Sequence, residues 1–349
     1  GRFQEGPMHG DDLLILSGED VAALLAGREA EIADIVGRAY VAHNTGKSSL
    51  PHSLFLRFPG NAADRIIALP AFLGDEFEVA GVKWISSFPA NVQRGIARAS
   101  ALLILNDCTS GRPEAVLEGS LISARRTAAS AALGARVLLE GRTPGQVGLI
   151  GTGRINFEIA RFLHSLTGAR SFLLFDLDAE RAGRFAGELG SELKEVDLKS
   201  AGSLDEVLAS CRLVSFATTA TRPYVHDLSL CPAGAVLLHI SLRDLAPEAI
   251  MACDNVVDDV DHVCRAETSV HLAEQITGGR DFIRCTLADI LEAKAPARRD
   301  DDSVVVFSPF GLGVLDIAVG KLVLDLANAA GRGTRMPSFS AMGTGEFSA

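Results

Sequence analysis

Val147-Gly-Leu-Ile-Gly-Thr-Gly-Arg-Ile-Asn-Phe-Glu-Ile-Ala-Arg-Phe-Leu-His-Ser-Leu166 is the stretch that decides the fold. It reads as a short buried strand, a tight glycine turn and an amphipathic helix. Phe157, Ile159, Ala160, Phe162, Leu163 and Leu166 recur at helical spacing behind the turn. Gly151 and Gly153 stand where such a turn passes close to a pyrophosphate. Glycine there permits positive φ and leaves room for phosphate oxygens. The helix that follows offers free N–H groups and the positive end of its dipole. A second strand, Ser171-Phe-Leu-Leu-Phe-Asp176, ends in a carboxylate placed to accept hydrogen bonds from ribose hydroxyls and to repel a 2′-phosphate. Strand, turn, helix, strand and acid together point to NAD. Asn156 replaces the third glycine of the fingerprint, so looser packing of helix on strand is expected there.

Outward from this unit, composition narrows the class. The chain has 349 residues, 48% hydrophobic, which predicts two domains with ample cores. A net charge of −11 argues against nucleic acid or an anionic membrane surface as partner, and requires a local cluster of cations for any anionic ligand. The six cysteines carry no C-x-x-C pair and read as reduced thiols of a cytoplasmic protein, with no metal site expected. No apolar run reaches membrane-spanning length. Gly1 to Pro7 precede Met8 and are set aside as an expression scar.

Ahead of the glycine turn, Leu13–Leu16 reads as a strand. Ser17 reads as the N-cap of a helix, with Asp20 in a capping-box position. A second helix runs from about Glu29 to His43. Ser53–Phe58, Arg65–Leu69, Glu78–Ile85, Ala101–Asp107 and Pro113–Leu117 then read as strands, the last two joined as a hairpin. This predicts an antiparallel α+β domain. An Ala-rich helix from about Ile122 to Leu138 leads into the glycine unit. Leu213–Thr218, Ala235–Ser241, Asp254–Asp258 and Ser303–Ser308 read as further strands alternating with helices. The expected fold class is therefore α/β, a doubly wound parallel sheet of Rossmann type plus an α+β substrate and dimerisation domain. The expected division is 8–130 with 309–330 for the substrate domain, 131–308 for the dinucleotide domain, and 331–349 as a flexible tail.

Chemistry is expected beyond the carboxyl ends of the parallel strands. Thr218, Thr219 and Thr221 follow one strand; their small hydroxyls leave space for a cofactor, and they read equally well as a Ser/Thr turn. His239-Ile-Ser-Leu-Arg-Asp-Leu245 ends the next. Asp244 there is a general base at the nicotinamide crevice, or else the N-cap of a helix starting near Pro247. His262 and His271 read as surface or satisfied histidines before proton shuttles. In the first domain, Arg57 and Lys83 stand inside apolar strands, and Arg126 near the start of the Ala-rich helix. Cations in such places are expensive unless paired. Together they read as a carboxylate clamp, with facing solvent as the alternative for each.

These residues, in this order, resemble the ornithine cyclodeaminase/μ-crystallin family from about Leu13 to Leu326. The marks are Gly81-Val-Lys83, Leu-Ile-Leu-Asn-Asp107, Thr-Ser-Gly-Arg-Pro113, Arg126-Thr127-Ala-Ala, Gly151-x-Gly153 and Gly311-x-x-x-x-Asp316. The resemblance implies that Arg57, Lys83 and Arg126 hold a substrate carboxylate. It implies a cofactor set of Arg126, Thr127, Gly151, Thr152, Gly153, Arg154, Ile155, Asp176, Thr218, Thr219 and Ser241, and catalysis by Asp244 with Lys83. It also implies a homodimer. Arg243 precedes Asp244 where the family pattern carries Gly, which speaks against plain ornithine deamination. Lys83-Trp-Ile-Ser-Ser-Phe-Pro89, His239–Leu245, Asp254-Asn-Val-Val-Asp-Asp-Val and Val270-His-Leu-Ala-Glu-Gln275 resemble the branch of dehydrogenases that make L-2,3-diaminopropionate for siderophores and peptide antibiotics. That branch implies NAD⁺-dependent oxidation of N-(2-amino-2-carboxyethyl)-L-glutamate and release of 2-oxoglutarate, with Arg243 taking an extra substrate carboxylate. The alternatives that stay open are an ornithine cyclodeaminase, an alanine dehydrogenase, a cyclic-imine reductase, or a non-catalytic NAD(P)-binding protein of μ-crystallin type.

Overall fold

The computed structural model describes residues 12–337 and Phe339; Gly1–Pro7 and most of the Ser/Gly-rich tail lie outside the described residues. The chain forms two compact units. One gathers the residues up to Ala26, Ser48–Ser123 and those from Asp316 onward; the other gathers Gly27–Lys47 and Ala124–Leu315.

The first unit is an eight-stranded sheet. Its order is Thr334–Met336, Leu13–Leu16, Pro113–Glu118, Ala99–Asn106, Val79–Ser87, Asn61–Leu73 and Ser48–Ser49, with Leu54–Phe58 also paired to Asn61–Leu73. Pairing is antiparallel except between Leu13–Leu16 and Pro113–Glu118, which run parallel in the register Leu14↔Ala115. The purely antiparallel expectation is corrected at that pair. The intervening chain returns to the first strand's side by a crossover rather than a hairpin. Ser17 caps the first helix in a closed box: its Oγ accepts from Asp20 N at 3.2 Å, and Asp20 Oδ2 accepts from Ser17 N at 3.0 Å. The flexible-tail expectation is corrected over Thr334–Met336 only, held as an edge strand in the register Leu13↔Met336. Backbone pairing, to which composition is blind, orders it.

One face of this sheet carries an exposed apolar row. Leu54, Ala68, Trp84 and Leu102 stand in one cross-strand row, and Leu54, Trp84 and Leu102 are 70%, 42% and 41% exposed. The opposite face carries buried Leu103, Leu105 and Leu117 with Lys83 among them.

The second unit is an all-parallel eight-stranded sheet. Its order is Asp197–Ser200, Ser171–Phe175, Gln146–Ile150, Leu213–Phe216, Val236–His239, Val305–Ser308, Asp254–Val257 and Ile283–Thr286. The order reverses between Gln146–Ile150 and Leu213–Phe216. A ligand crevice in a doubly wound sheet opens at such a switch, beyond the strands' carboxyl ends. Helix Glu29–Asn44 belongs to this unit rather than to residues 8–130 as expected. Its stripe of Ile32, Ala33, Ile35, Val36, Ala39 and Tyr40 is buried, and Glu29 Oε1 accepts from Arg161 Nη2 at 2.8 Å. The unit boundaries also fall within the two helices Gly119–Leu139 and Gly313–Ala330, not at residues 130 and 308. Each helix runs across a unit boundary, which a linear reading of the chain does not reveal.

Candidate active site

The glycine turn lies at the switch point. Gly151 has φ +86°, and a Cβ there would come within 2.4 Å of the Ala217 carbonyl oxygen, so only glycine fits between the two strand ends. Helix Arg154–Thr167 starts at Gly153 with no side-chain cap. Its first amides are thus left for an external acceptor, the arrangement that receives a pyrophosphate.

Asn156 overturns the expectation of looser packing. It is fully buried, and its Nδ2 donates to the carbonyls of Ile150 at 2.9 Å and Gly151 at 2.7 Å, while its Oδ1 accepts from Ser215 Oγ at 2.7 Å. An amide in place of glycine pins helix, turn and neighbouring strand together, since every polar atom it buries is paired.

Asp176 faces the turn. Its Oδ2 accepts from Thr152 N at 2.8 Å and Thr152 Oγ1 at 2.7 Å, and its Oδ1 from Asp178 N at 3.0 Å. Burial pushes its pKa up, but these donors and nearby Arg181 outweigh that and hold it below the usual carboxylate range. A carboxylate still has acceptor capacity left for ribose hydroxyls. Two neighbours escaped the sequence reading. Leu177 is 96% exposed directly beyond the acid, an apolar side chain left in solvent. Arg181 lies against the turn, with Nε 3.4 Å from the Thr152 carbonyl oxygen. Their signal was spacing from Asp176 alone, which carries no specificity.

At the other end of the crevice Asp244 is fully buried. It does not cap the helix at Pro247, whose N-cap is Ala246. Instead Thr218 Oγ1 and Tyr224 Oη donate to its Oδ1, the latter at 3.0 Å, and Ser241 Oγ donates to Oδ2. Thr218 Oγ1 also accepts from Ala220 N at 3.1 Å, so the Ser/Thr turn forms there. His239 Nε2 accepts from Asp244 N at 3.2 Å and lies 3.4 Å from Oδ2; Nδ1 is 3.3 Å from Ser308 Oγ. Neutral, the imidazole carries its proton on Nδ1; protonated, it turns an N–H toward the carboxylate. Burial raises the Asp244 pKa, yet His239, Ser241 and Thr218 outweigh it, so the group lies below the usual carboxylate range. Burial, and then the charge of Asp244, push the Tyr224 phenol well up, so it remains a donor.

The fold makes this cluster locally. Ile240 N and Ser241 N both donate to the Phe216 carbonyl oxygen at 3.0 Å, and Leu242 turns the chain at φ +65°. A branched residue in that region stores on the order of 1 kcal/mol or more of strain. Leu242 offsets it by packing with Val257, Val263 and Val270. The sequence reading quoted His239 within the Asp244 segment but gave it no role, and it missed Tyr224, which sits in no motif and lies 20 residues from Asp244. Arg243 is half-buried and its Nη2 donates to the Ala266 carbonyl oxygen at 2.6 Å.

Arg126 is buried beside Gly311, where φ is +91° and a Cβ would come 2.8 Å from Nη1. Gly311 is therefore the space into which the guanidinium fits. Asp258 fixes that turn, accepting from Phe310 N and Gly311 N at 2.8 Å each, and burial raises its pKa.

The first unit holds Lys83. It is 2% exposed, donating to Asp316 Oδ2 at 2.8 Å and Ser123 Oγ at 3.1 Å. An adjacent carboxylate favours the ammonium form. Arg57 shares its sheet face but lies two strands across and four residues along, on the order of 16 Å between Cα atoms. Its guanidinium stacks on Phe55 at 5.4 Å. The strand register therefore does not make Arg57 and Lys83 neighbours. Among the described residues no three His, Cys, Asp or Glu side chains are grouped to hold a metal, and no helix is long and apolar enough to cross a membrane.

The profile of the ornithine cyclodeaminase/mu-crystallin family matches residues 14–331. N-((2S)-2-amino-2-carboxyethyl)-L-glutamate dehydrogenase of Staphylococcus aureus is 28% identical over 93% of this chain and 98% of its own length. The structure of Thermococcus litoralis Delta(1)-pyrroline-2-carboxylate reductase with NADH and L-proline superposes with TM-score 0.84 at 24% identity, covering 92% of this chain and 99% of that one. An archaeal alanine dehydrogenase dimer with bound NAD gives TM-score 0.82 at 23% identity, covering 93% and 99%.

Proposed function

The chain belongs to the ornithine cyclodeaminase/mu-crystallin family, and we propose that this NAD-dependent enzyme oxidises N-(2-amino-2-carboxyethyl)-L-glutamate. The products are 2-oxoglutarate and L-2,3-diaminopropionate, a precursor for siderophore or peptide-antibiotic assembly. The observation that carries the chemistry is the buried, ionised Asp244 at the switch point of a sheet whose glycine turn and Asp176 fit a dinucleotide. The substrate itself rests on the Staphylococcus aureus relative and on Arg243 in place of glycine.

Gly151, Thr152, Gly153, Arg154 and Ile155 hold the pyrophosphate, Asp176 the adenosine ribose, and Arg126, Thr127, Thr218, Thr219 and Ser241 complete the cofactor set. NAD⁺, when bound, supplies the hydride acceptor. Loss of hydride from the α-carbon of the neutral secondary amine, whose N–H is retained, leaves a protonated imine. Asp244, kept anionic by its donors, stabilises the protonated imine and accepts a proton from the water that attacks its carbon. Tyr224 stays protonated and keeps the carboxylate oriented. The C–N bond then breaks, the amine leaves with a proton and the keto acid remains. Arg126 and Lys83 bind substrate carboxylate, with Arg57 and Arg243 serving the additional ones.

The exposed apolar row of Leu54, Trp84 and Leu102 supports a homodimer formed through the first unit's sheet. The test of substrate is a parallel assay with NAD⁺ and the conjugate, ornithine or alanine. NADH with an equal amount of 2-oxoglutarate from the conjugate alone is expected. Proline and ammonia from ornithine without net NADH would replace this reading by a cyclodeaminase, and NADH from alanine by an alanine dehydrogenase.

A further inference from the structure

The stretch Val79–Asn106 contains no Asp or Glu, in a chain of net charge −11. It contributes Arg98 to an end of the first unit's sheet where Arg57 and Arg65 also stand. Arg57 and Arg65 are direct cross-strand partners, and Arg65 pairs onward with Ser87 on the face that carries Lys83. Like charges in direct opposition destabilise a sheet. Arg98 lies close enough to Arg65 for its pKa to fall, burial first and Arg65 second. Its carbonyl oxygen accepts from Phe88 N at 2.8 Å, and Phe88 stacks edge-on against Phe58 at 5.5 Å, which fixes this end of the sheet. Among the described residues, Arg57, Arg65 and Arg98 have no carboxylate partner. The Nε atoms of Arg65 and Arg98 are buried without any hydrogen-bond acceptor. Buried guanidinium donors without acceptors are costly at Arg65 and Arg98, and with the directly opposed charge of Arg57 they are explained by an anion that pairs with them.

We propose that Arg57, Arg65 and Arg98 form a recognition site for a ligand bearing two or more carboxylates. Arg65 and Arg98 thereby act as specificity residues beside Arg57. A forked guanidinium binds a carboxylate through two parallel N–H groups, and opposed arginines suit neighbouring carboxylates on one molecule. The inference deepens the proposed function: the conjugate carries three carboxylates, and a monocarboxylate amino acid would leave these cations unpaired. A free dicarboxylate such as 2-oxoglutarate has the same chemistry.

Arg65→Ala and Arg98→Ala test it, with Arg65→Lys and Arg98→Lys as variants that keep the charge. KM for the conjugate should rise by about tenfold or more with kcat little changed, and the Lys variants should recover part of it. Calorimetric binding of 2-oxoglutarate should weaken in parallel, while NAD⁺ affinity and oligomeric mass stay as in the wild type. Weakened 2-oxoglutarate binding with an unchanged KM would place a free dicarboxylate, rather than the substrate, at the site. If the wild type fails to turn over the conjugate, the proposed substrate falls, and 2-oxoglutarate binding still decides the arginines. Unchanged KM together with unchanged 2-oxoglutarate binding would overturn the site. So would a loss of subunit association with ligand affinity intact.

Discussion

Asp244 and Lys83 are both buried charges, and the two units keep them charged by different means. Asp244 shares its charge among neutral donors, the hydroxyls of Thr218, Tyr224 and Ser241, with an imidazole at 3.4 Å. Lys83 pairs with a carboxylate of opposite sign, Asp316, which is itself fully buried, and also donates to Ser123 Oγ. A charge spread over several donors can lose one of them and remain solvated. A buried charge paired with a counter-ion loses far more when that counter-ion is removed. The first arrangement suits a group that must gain and release protons, and the second suits a group that must stay charged.

That contrast can be broken first at Asp244 itself. Asp244→Asn should lower kcat/KM for the conjugate by about 10²–10⁴-fold, the usual contribution of a positioned acid–base group. NAD⁺ titration should give unchanged affinity; unchanged turnover would remove Asp244 from the chemistry. Next in size, Asp316→Ala should cost about 3–5 kcal/mol in urea unfolding, because it strands a buried ammonium. Restoring most of the loss with Lys83→Met on the same background would show that the pair, not either residue, sets the cost. A loss of about 0–1 kcal/mol, as for an exposed pair, would remove the contrast.

Asn156→Leu comes third. It leaves the carbonyls of Ile150 and Gly151 and the hydroxyl of Ser215 without their buried partner, at about 1–3 kcal/mol by chemical denaturation. Smallest is Thr218→Val, which removes one of the donors that lower the Asp244 pKa. The acid limb of the kcat/KM profile should move to higher pH by less than about one unit. Stability follows the same sign. The folded-state pKa of Asp244 is depressed, so its contribution is present above about pH 3.9 and is lost as pH falls through the folded value. With Thr218→Val that loss should begin at higher pH. An acid limb that does not move would mean Thr218 does not solvate the charge.

What could be read from the chain was local. The capping box at Ser17 and Asp20 and the sequence from Val147 to Asp176 are each set within a few residues or one βα unit, so their chemistry survives without coordinates. Asp244 was legible as a candidate because a carboxylate follows a strand end. Its surroundings were not: Thr218 comes from the end of a neighbouring strand set in register with His239, and Tyr224 from a loop whose backbone N–H bonds the Asp244 carbonyl oxygen. Asp316 was visible as a family mark, but not as the partner of a lysine 233 residues away. Asn156 misled because a missing glycine was read as lost packing, when the amide supplies three hydrogen bonds instead. Helix Glu29–Asn44 misled by position: nothing in its stripe says which sheet it covers.

The most direct measurement uses the conjugate deuterated at the glutamate α-carbon, with NAD⁺ and the wild-type enzyme. The expected result is deuterium on the reduced nicotinamide, in equal amount to 2-oxoglutarate, with unlabelled diaminopropionate. Deuterium released to water, or retained in the amine product, would contradict hydride removal from that carbon and with it the proposed reaction.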